Sequence, residues 1–269
     1  MKLYKYQKFL ESTEDIHSIC KKYGIKDYTV NEDGSIDVEG NVDLSNRNLT
    51  KLPLKFNHVS GGFYCYNNKL ETLEGSPKSV GGDFYCHDNQ LRTLEGCPQS
   101  VGGDFECGYN QLTSLKGSPK SVGGGFDCGY NQLTSLEGSP QSVGGYFNCS
   151  DNKLTTLEGS PKSVGGDFYC SYNKLTTLEG SPQSVGGDFY CSYNKLTTLE
   201  GSPQSVGGSF DYYRNQLTDF IGFPEFWEGY VDFGYNTVYK ILKLFPEDKR
   251  CKAIYWINEY EVIQGKNII

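Results

Sequence analysis

Residues Ser163 to Pro182 read SVGGDFYCSYNKLTTLEGSP, and after Gln183 the same string returns unchanged from Ser184 to Pro203. Carried outward, it fixes one register. Asn68, Asn89, Asn110, Asn131, Asn152, Asn173, Asn194, Asn215 and Asn236 stand 21 residues apart, and Arg47 occupies the position one period earlier. A fixed period of this length is the signature of a solenoid, in which each unit buries its apolar residues only against its neighbours.

Within the unit that contains Asn194, the apolar positions are Val185, Phe189, Cys191, Leu196 and Leu199. Their equivalents recur throughout, as in the column Phe63, Phe84, Phe105, Phe126, Phe147, Phe168, Phe189 and Phe210. Phe and Cys alternate with variable residues, which is the period-two pattern of a short strand, and identical strands one unit apart stack into a parallel sheet. Gly186 and Gly187, with Gly201, Ser202 and Pro203, supply the turn chemistry that returns the chain.

The arrangement F-x-C-x-x-N-x-L-x-x-L resembles the leucine-rich repeat over about residues 36–240, with Phe and Cys in the first two strand positions. With V-G-G-x-F-x-C ahead of the Asn, it looks like short repeats in proteins of tailed bacteriophages and other large DNA viruses. It differs from the shorter repeats of bacterial type III effectors by one extra residue between Val and Phe, which the double glycine absorbs. The resemblance implies a repeat solenoid with a parallel sheet on its concave face, a mostly irregular convex side, and helical caps. It also implies that each Asn amide bonds the turn after its strand, as a buried amide requires. Arg47 breaks the column, so the first coil is expected to be atypical.

Three segments follow. Residues 1–41 form an N-terminal cap: a helix over 13–23 started by Ser12 or Thr13 and stopped by Gly24, then a hairpin of Tyr28 to Val30 and Ser35 to Val38. Residues 42–236 form the solenoid. Residues 237–269 form a C-terminal cap of two helices, Thr237 to Phe245 and Glu247 to about Tyr260, split by Pro246; docking a partner is the other use open to this segment.

The chain carries 25 Lys and Arg against 33 Asp and Glu, a net charge of −8. Residues 59–236 hold 20 acidic and 10 basic residues, so the acidity belongs to the repeats. That balance opposes nucleic-acid binding, which needs cations to neutralise phosphate. No stretch approaches a membrane span, and the N-terminus has no apolar signal region, so a cytoplasmic location is expected, in a host cell if the protein is viral. Cys65, Cys86, Cys107, Cys128, Cys149, Cys170 and Cys191 share one inward column and read as buried thiols without disulfides or metal; Cys20, Cys97 and Cys251 lie outside it and are expected to react first.

No catalytic constellation emerges. His17, His58 and His87 are scattered, and acids such as Asp167 and Asp188 recur as a column instead of enclosing one geometry. The string V-G-G-D-F has the wrong period for a calcium-binding repeat and lacks the helix and Lys of a phosphate cradle. No cofactor is expected.

Function is expected on the variable columns. One holds Tyr64, Tyr85, Glu106, Asp127, Asn148, Tyr169, Tyr190 and Asp211; another, two residues earlier, includes Asp104, Tyr146, Asp167 and Asp188; Tyr213 adds a further ring. The partner-binding residues read from these columns are Tyr64, Tyr85, Asp104, Glu106, Asp127, Tyr146, Asp167, Tyr169, Asp188, Tyr190, Asp211 and Tyr213. Tyrosine offers a large contact area with few rotors to freeze, which suits recognition. The column just before the Asn, with Tyr109, Tyr130, Tyr172, Tyr193, Arg214 and Tyr235, is placed on the same face. The expected function is a non-enzymatic protein-binding module, of viral origin, that grips a host or viral protein with a basic surface. The rival is a small-molecule binder or sponge that stacks a nucleotide-like signal on the tyrosines, although the face is short of cations for phosphates.

Overall fold

The computed structural model describes residues 15–219, 221–224 and 226–237, together with the strand backbone of 254–258 and 261–264. Each unit makes two strands of two residues, Ser163–Val164 and Phe168–Tyr169 in the stretch quoted first. The strands that begin with Phe stack in parallel and in register, Phe126 beside Phe147, Phe147 beside Phe168, and Phe168 beside Phe189. They form a 12-stranded sheet that starts at Val42–Asp43. The chain is thus a solenoid of parallel-strand turns 21 residues apart, as the period predicts.

The Ser-Val strands form a second, 11-stranded sheet where the sequence reading expects a mostly irregular side. Two residues are too few to show a period of two. Identical copies held one strand spacing apart nevertheless pair whatever backbone groups are extended there, because a buried N–H or C=O must find a partner.

Between the sheets lie the inward columns. Val164, Phe168, Cys170, Leu175 and Leu178 are all buried. The Phe rings form a continuous pile: Phe126 and Phe147 lie 5.3 Å apart at 8°, and Phe168 and Phe189 lie 5.3 Å apart at 5°. Burying each ring stabilises by about 1.5–3 kcal/mol, and aromatic contact adds to that.

Asn131 shows how units are tied together. Its Nδ2 donates to the carbonyls of Cys128 and Gly129 in its own turn and of Cys107 one unit back, each at 3.1 Å. Its Oδ1 accepts from the backbone N–H of Leu112 at 2.9 Å. The column repeats this from Asn68 to Asn236, as the resemblance implies. At the break, Arg47 donates its backbone N–H to Asn68 Oδ1 at 3.0 Å, and its guanidinium lies over the Tyr23 ring of the first helix.

Gly165 permits the close stacking of the turns: a Cβ there would strike the carbonyl oxygen of Gly144 in the preceding unit. Gly159 serves a different need, a left-handed turn at φ +89°.

The seven ladder thiols are buried and free. Cys20 and Cys97 are buried as well, contrary to the expectation that they react first. Cys97 replaces the Ser of the Gly-Ser-Pro turn and donates its Sγ–H to the carbonyl of Gly117 at 2.8 Å, while Cys20 lies on the packed side of the first helix. Cys251 lies outside the described residues.

That helix covers 15–23 as described, with Ile16 and Cys20 packed inward. The backbone N–H of Ile25 donates to Cys20 O and that of Gly24 to Lys21 O, so the stop at Gly24 is a Schellman turn with φ +70°. Tyr28–Val30 and Ile36–Val38 form the expected antiparallel hairpin, and Ile36–Val38 then pairs in parallel with Phe56–Val59, covering that end of the Ser-Val sheet.

At the other end, Ile254–Asn258 pairs in parallel with Val231–Asp232 and antiparallel with Glu261–Gln264. This differs from the helix expected over Glu247 to Tyr260. The run Ile254, Tyr255, Trp256, Ile257 is β-branched and aromatic, and the last strand of the Phe sheet presents unpaired backbone groups for it to join. The other expected helix, beyond Thr237, lies outside the described residues.

Candidate functional site

The residue after the inward Phe is half-buried in each unit from Tyr64 to Asp211 and points away from the core. In-register pairing brings equivalents together: Tyr64 and Tyr85 lie 5.3 Å apart at 53°, and Tyr169 and Tyr190 stack at 4.9 Å and 2°. Glu106, Asp127 and Asn148 separate the two tyrosine pairs along the same ladder. Along this ladder the rings thus stand on either side of Glu106, Asp127 and Asn148, with Asp211 beyond the second pair.

The carboxylates differ from expectation in what they already hold. Asp104 accepts from the backbone N–H of Gly125 at 2.6 Å, Asp167 from that of Asp188 at 2.8 Å, and Asp188 from that of Ser209 at 2.7 Å. The second oxygens of Asp167 and Asp188 accept from the hydroxyls of Tyr169 and Tyr190, both at 2.7 Å. Asp127 and Asp211 each accept from the backbone N–H two residues on, Gly129 and Tyr213, both at 2.8 Å. These acids stitch turns together while they charge the face.

Glu106 is different. Its oxygens meet the hydroxyl of Tyr146 at 3.4 Å and Nε2 of His87 at 3.6 Å, with no bond from the backbone. Burial pushes its pKa up, and Asp127 and Asp104 push the same way against His87. Asp127 and Asp211 are also raised by burial, opposed by the N–H groups they accept from. The tyrosine hydroxyls follow: Tyr169 is pushed up to about 12 by burial and by Asp167 and Asp188. Burial is the main reason these carboxyls resist charging, with acidic neighbours adding to it only at Glu106.

The column before the Asn projects from a left-handed turn. Tyr109, Tyr130, Tyr172, Tyr193, Arg214 and Tyr235 have φ between 50° and 56°. Tyr109 and Tyr130 stack at 4.2 Å and Tyr172 and Tyr193 at 4.3 Å. Tyr213 belongs to this second group, since the Arg214 guanidinium lies over the rings of Tyr193, Tyr213 and Tyr235.

Sequence reasoning missed a cleft at the N-terminal end. Asp43, Tyr64, Tyr66, Tyr85 and His87 line about 560 Å³ of it, and Tyr66 stacks on His87 at 4.7 Å and 10°. The signal was present in the column two residues before the Asn, which holds Tyr66 and His87 in adjacent units and Gly or Ser in the next five. Among the described residues, no group of His, Cys, Asp and Glu is arranged to hold a metal ion, and no helix is long and apolar enough to cross a membrane.

No protein-family model matches the sequence, and no curated protein matches it. Two solved structures of YopM are similar. One, from Yersinia enterocolitica WA-314, gives a TM-score of 0.43 at 17% identity. The other, described as a leucine-rich effector protein from Yersinia pestis, gives 0.49 at 21%. Each match covers 73% of this chain and 60% of that one, so the chain spans about 60% of the length of either. The likeness concerns the fold alone.

Proposed function

We propose that the chain is a non-enzymatic protein-binding module that holds a partner with a basic surface against the outward face of the Phe sheet. One observation carries the proposal: Glu106 and Asp127 stand on a half-buried face between the inclined Tyr64–Tyr85 pair and the stacked Tyr169–Tyr190 pair, and burial holds both carboxyls up. A cationic surface laid on that face stabilises the charged carboxylates that burial disfavours, and the rings supply rigid contact area for its apolar rim. The repeat resemblance extends the reading to a viral protein acting on a factor inside its host.

The test uses variants that spare the turn bonds. Glu106→Gln keeps the shape and removes one charge, and Tyr169→Ala with Tyr190→Ala removes the stacked pair. Partners captured by the parent chain are identified by mass spectrometry and then titrated against both variants at rising sodium chloride. The expected result is at least tenfold weaker binding for the tyrosine variant, with a smaller loss for Glu106→Gln that fades as salt screens it. Unchanged affinity in both, with circular dichroism showing intact folding, overturns the proposal. A bound nucleotide-like molecule in the purified protein, displaced when those tyrosines are removed, points to the small-molecule reading instead.

A further inference from the structure

The cleft at Tyr64, Tyr66, Tyr85 and His87 has features that a general contact face does not need. Its rings meet at an angle and form walls: Tyr64 and Tyr85 are inclined at 53°, and Tyr85 and His87 at 52° with centroids 6.1 Å apart. The imidazole edges are engaged by carboxylates, Nδ1 by Asp88 at 2.8 Å and Nε2 by Glu106 at 3.6 Å, while Tyr66 stacks on the ring. Asp43 adds a carboxylate to the lining, and among the described residues no lysine or arginine lines the cleft. The hydroxyls of Tyr64 and Tyr85 are pushed up by burial and then by Asp83, which shows that the negative potential reaches both rings.

Aromatic faces around a negative potential select cations, and they select among them. A primary ammonium is strongly hydrated and needs hydrogen-bond acceptors to replace its water, whereas a methylated one is weakly hydrated and is satisfied by ring faces. Part of that acceptor capacity is already taken, since Asp43 Oδ1 holds the backbone N–H of Ser45 at 2.9 Å and its hydroxyl at 2.6 Å and Asp88 and Glu106 face His87, so the carboxylates serve chiefly as charge beside the rings. We propose that the cleft is an aromatic cage for an N-methylated lysine side chain presented by the protein partner. This rests on the reading of the chain as a binder of basic proteins, and it names the group that one end of the face would recognise.

The probes are a short basic peptide carrying trimethyllysine, the same peptide with unmodified lysine, and one with the neutral isostere in which carbon replaces the charged nitrogen. Each is titrated into the full chain by calorimetry, with tyrosine ring resonances followed by NMR. The trimethyl form is expected to bind at least tenfold tighter than the neutral isostere and tighter than the unmodified peptide. Tyr66→Ala and Asp43→Asn should each weaken it several-fold, while Gln132→Ala, at an exposed position three units away, leaves it unchanged; melting curves check that every variant is folded. Equal binding of the neutral isostere overturns the cage, because it reduces the cleft to an apolar pocket. Equal or tighter binding of unmodified lysine also overturns it, as does full affinity in Tyr66→Ala. If Tyr169→Ala with Tyr190→Ala releases a captured partner while no peptide binds the cleft, the cage fails and the wider binding reading stands. Methyl-selective binding, with a captured partner indifferent to the tyrosine variant, supports the cage and removes the wider face from the binding site.

Discussion

Asn131 makes a testable claim about a single amide. It contacts three carbonyls and one N–H, one link on each side being to the preceding unit. Asn131→Ala leaves those groups buried without partners and should cost on the order of 1–3 kcal/mol in urea unfolding, whereas Gln132→Ala, at an exposed neighbour, should change little. Equal midpoints for the two would contradict the register. The thiols give a second claim: Cys20, Cys97 and the ladder thiols, all buried, should resist a thiol reagent until denaturant is added, and Cys97 is further protected because burial pushes it up to about 12. Rapid native labelling at Cys128 would refute the inward assignment. The Asn role came with the repeat resemblance, and the need of a buried amide for partners agrees with it. The backbone bonds of Asp104, Asp167 and Asp188 were not, since each reaches an N–H 21 residues away that becomes a neighbour only after stacking.

In the repeat unit the least tolerant element is the double-glycine turn between its two strands. Gly165→Ala places a methyl group against the backbone of the unit before it, which cannot give way as a flexible side chain could. Gly159→Ala meets a different penalty, a left-handed φ of +89° together with backbone close by. Both variants should lower the melting temperature, Gly165→Ala by several degrees or more, while Ser163→Ala on the exposed edge of the same unit should leave it nearly unchanged. A Gly165→Ala protein that melts with the parent would show that the turns are not in backbone contact. The Phe strand was readable from Phe-x-Cys alternation, but Ser163–Val164 carries one inward residue and so has no alternation to read. The C-terminal strand Ile254–Asn258 was missed for the opposite reason: its apolar residues fit either period, and pairing with Val231–Asp232 decides between them.

Across the whole molecule, the charged face ties stability to pH. Glu106, Asp127, Asp211 and Asp232 all titrate above the usual carboxylate range because burial disfavours their charged forms. A raised pKa in the folded state means that the fold takes up protons before the unfolded chain does. Stability is therefore gained as pH falls through those values and lost as it rises through them. Asp33 runs the other way, held down by Ser35 and Lys55, and its contribution is lost only in strong acid. The melting temperature should thus rise modestly as the pH is lowered through the range where these buried carboxyls take up protons, and fall only in strong acid as Asp33 is protonated. Over the same range a basic partner should bind more weakly, as the carboxylates it meets are neutralised. A melting temperature that declines steadily from neutrality would mean that the face carries no such strain.

The backbone bonds between units, such as Phe126 N–H to Tyr146 O and Cys128 N–H to Asn148 O, run along the stacking direction, and among the described residues no long-range element crosses several units to reinforce them. Under tension from its two ends the molecule is therefore a series of similar links loaded in a line. It should peel from one end, each detached unit lengthening the chain by about 65–70 Å, which is 21 residues at about 3.3–3.6 Å less one strand spacing of about 4.8 Å. A force trace of evenly spaced steps is the expected record, and the two identical units from Ser163 to Pro203 should give way at the same force.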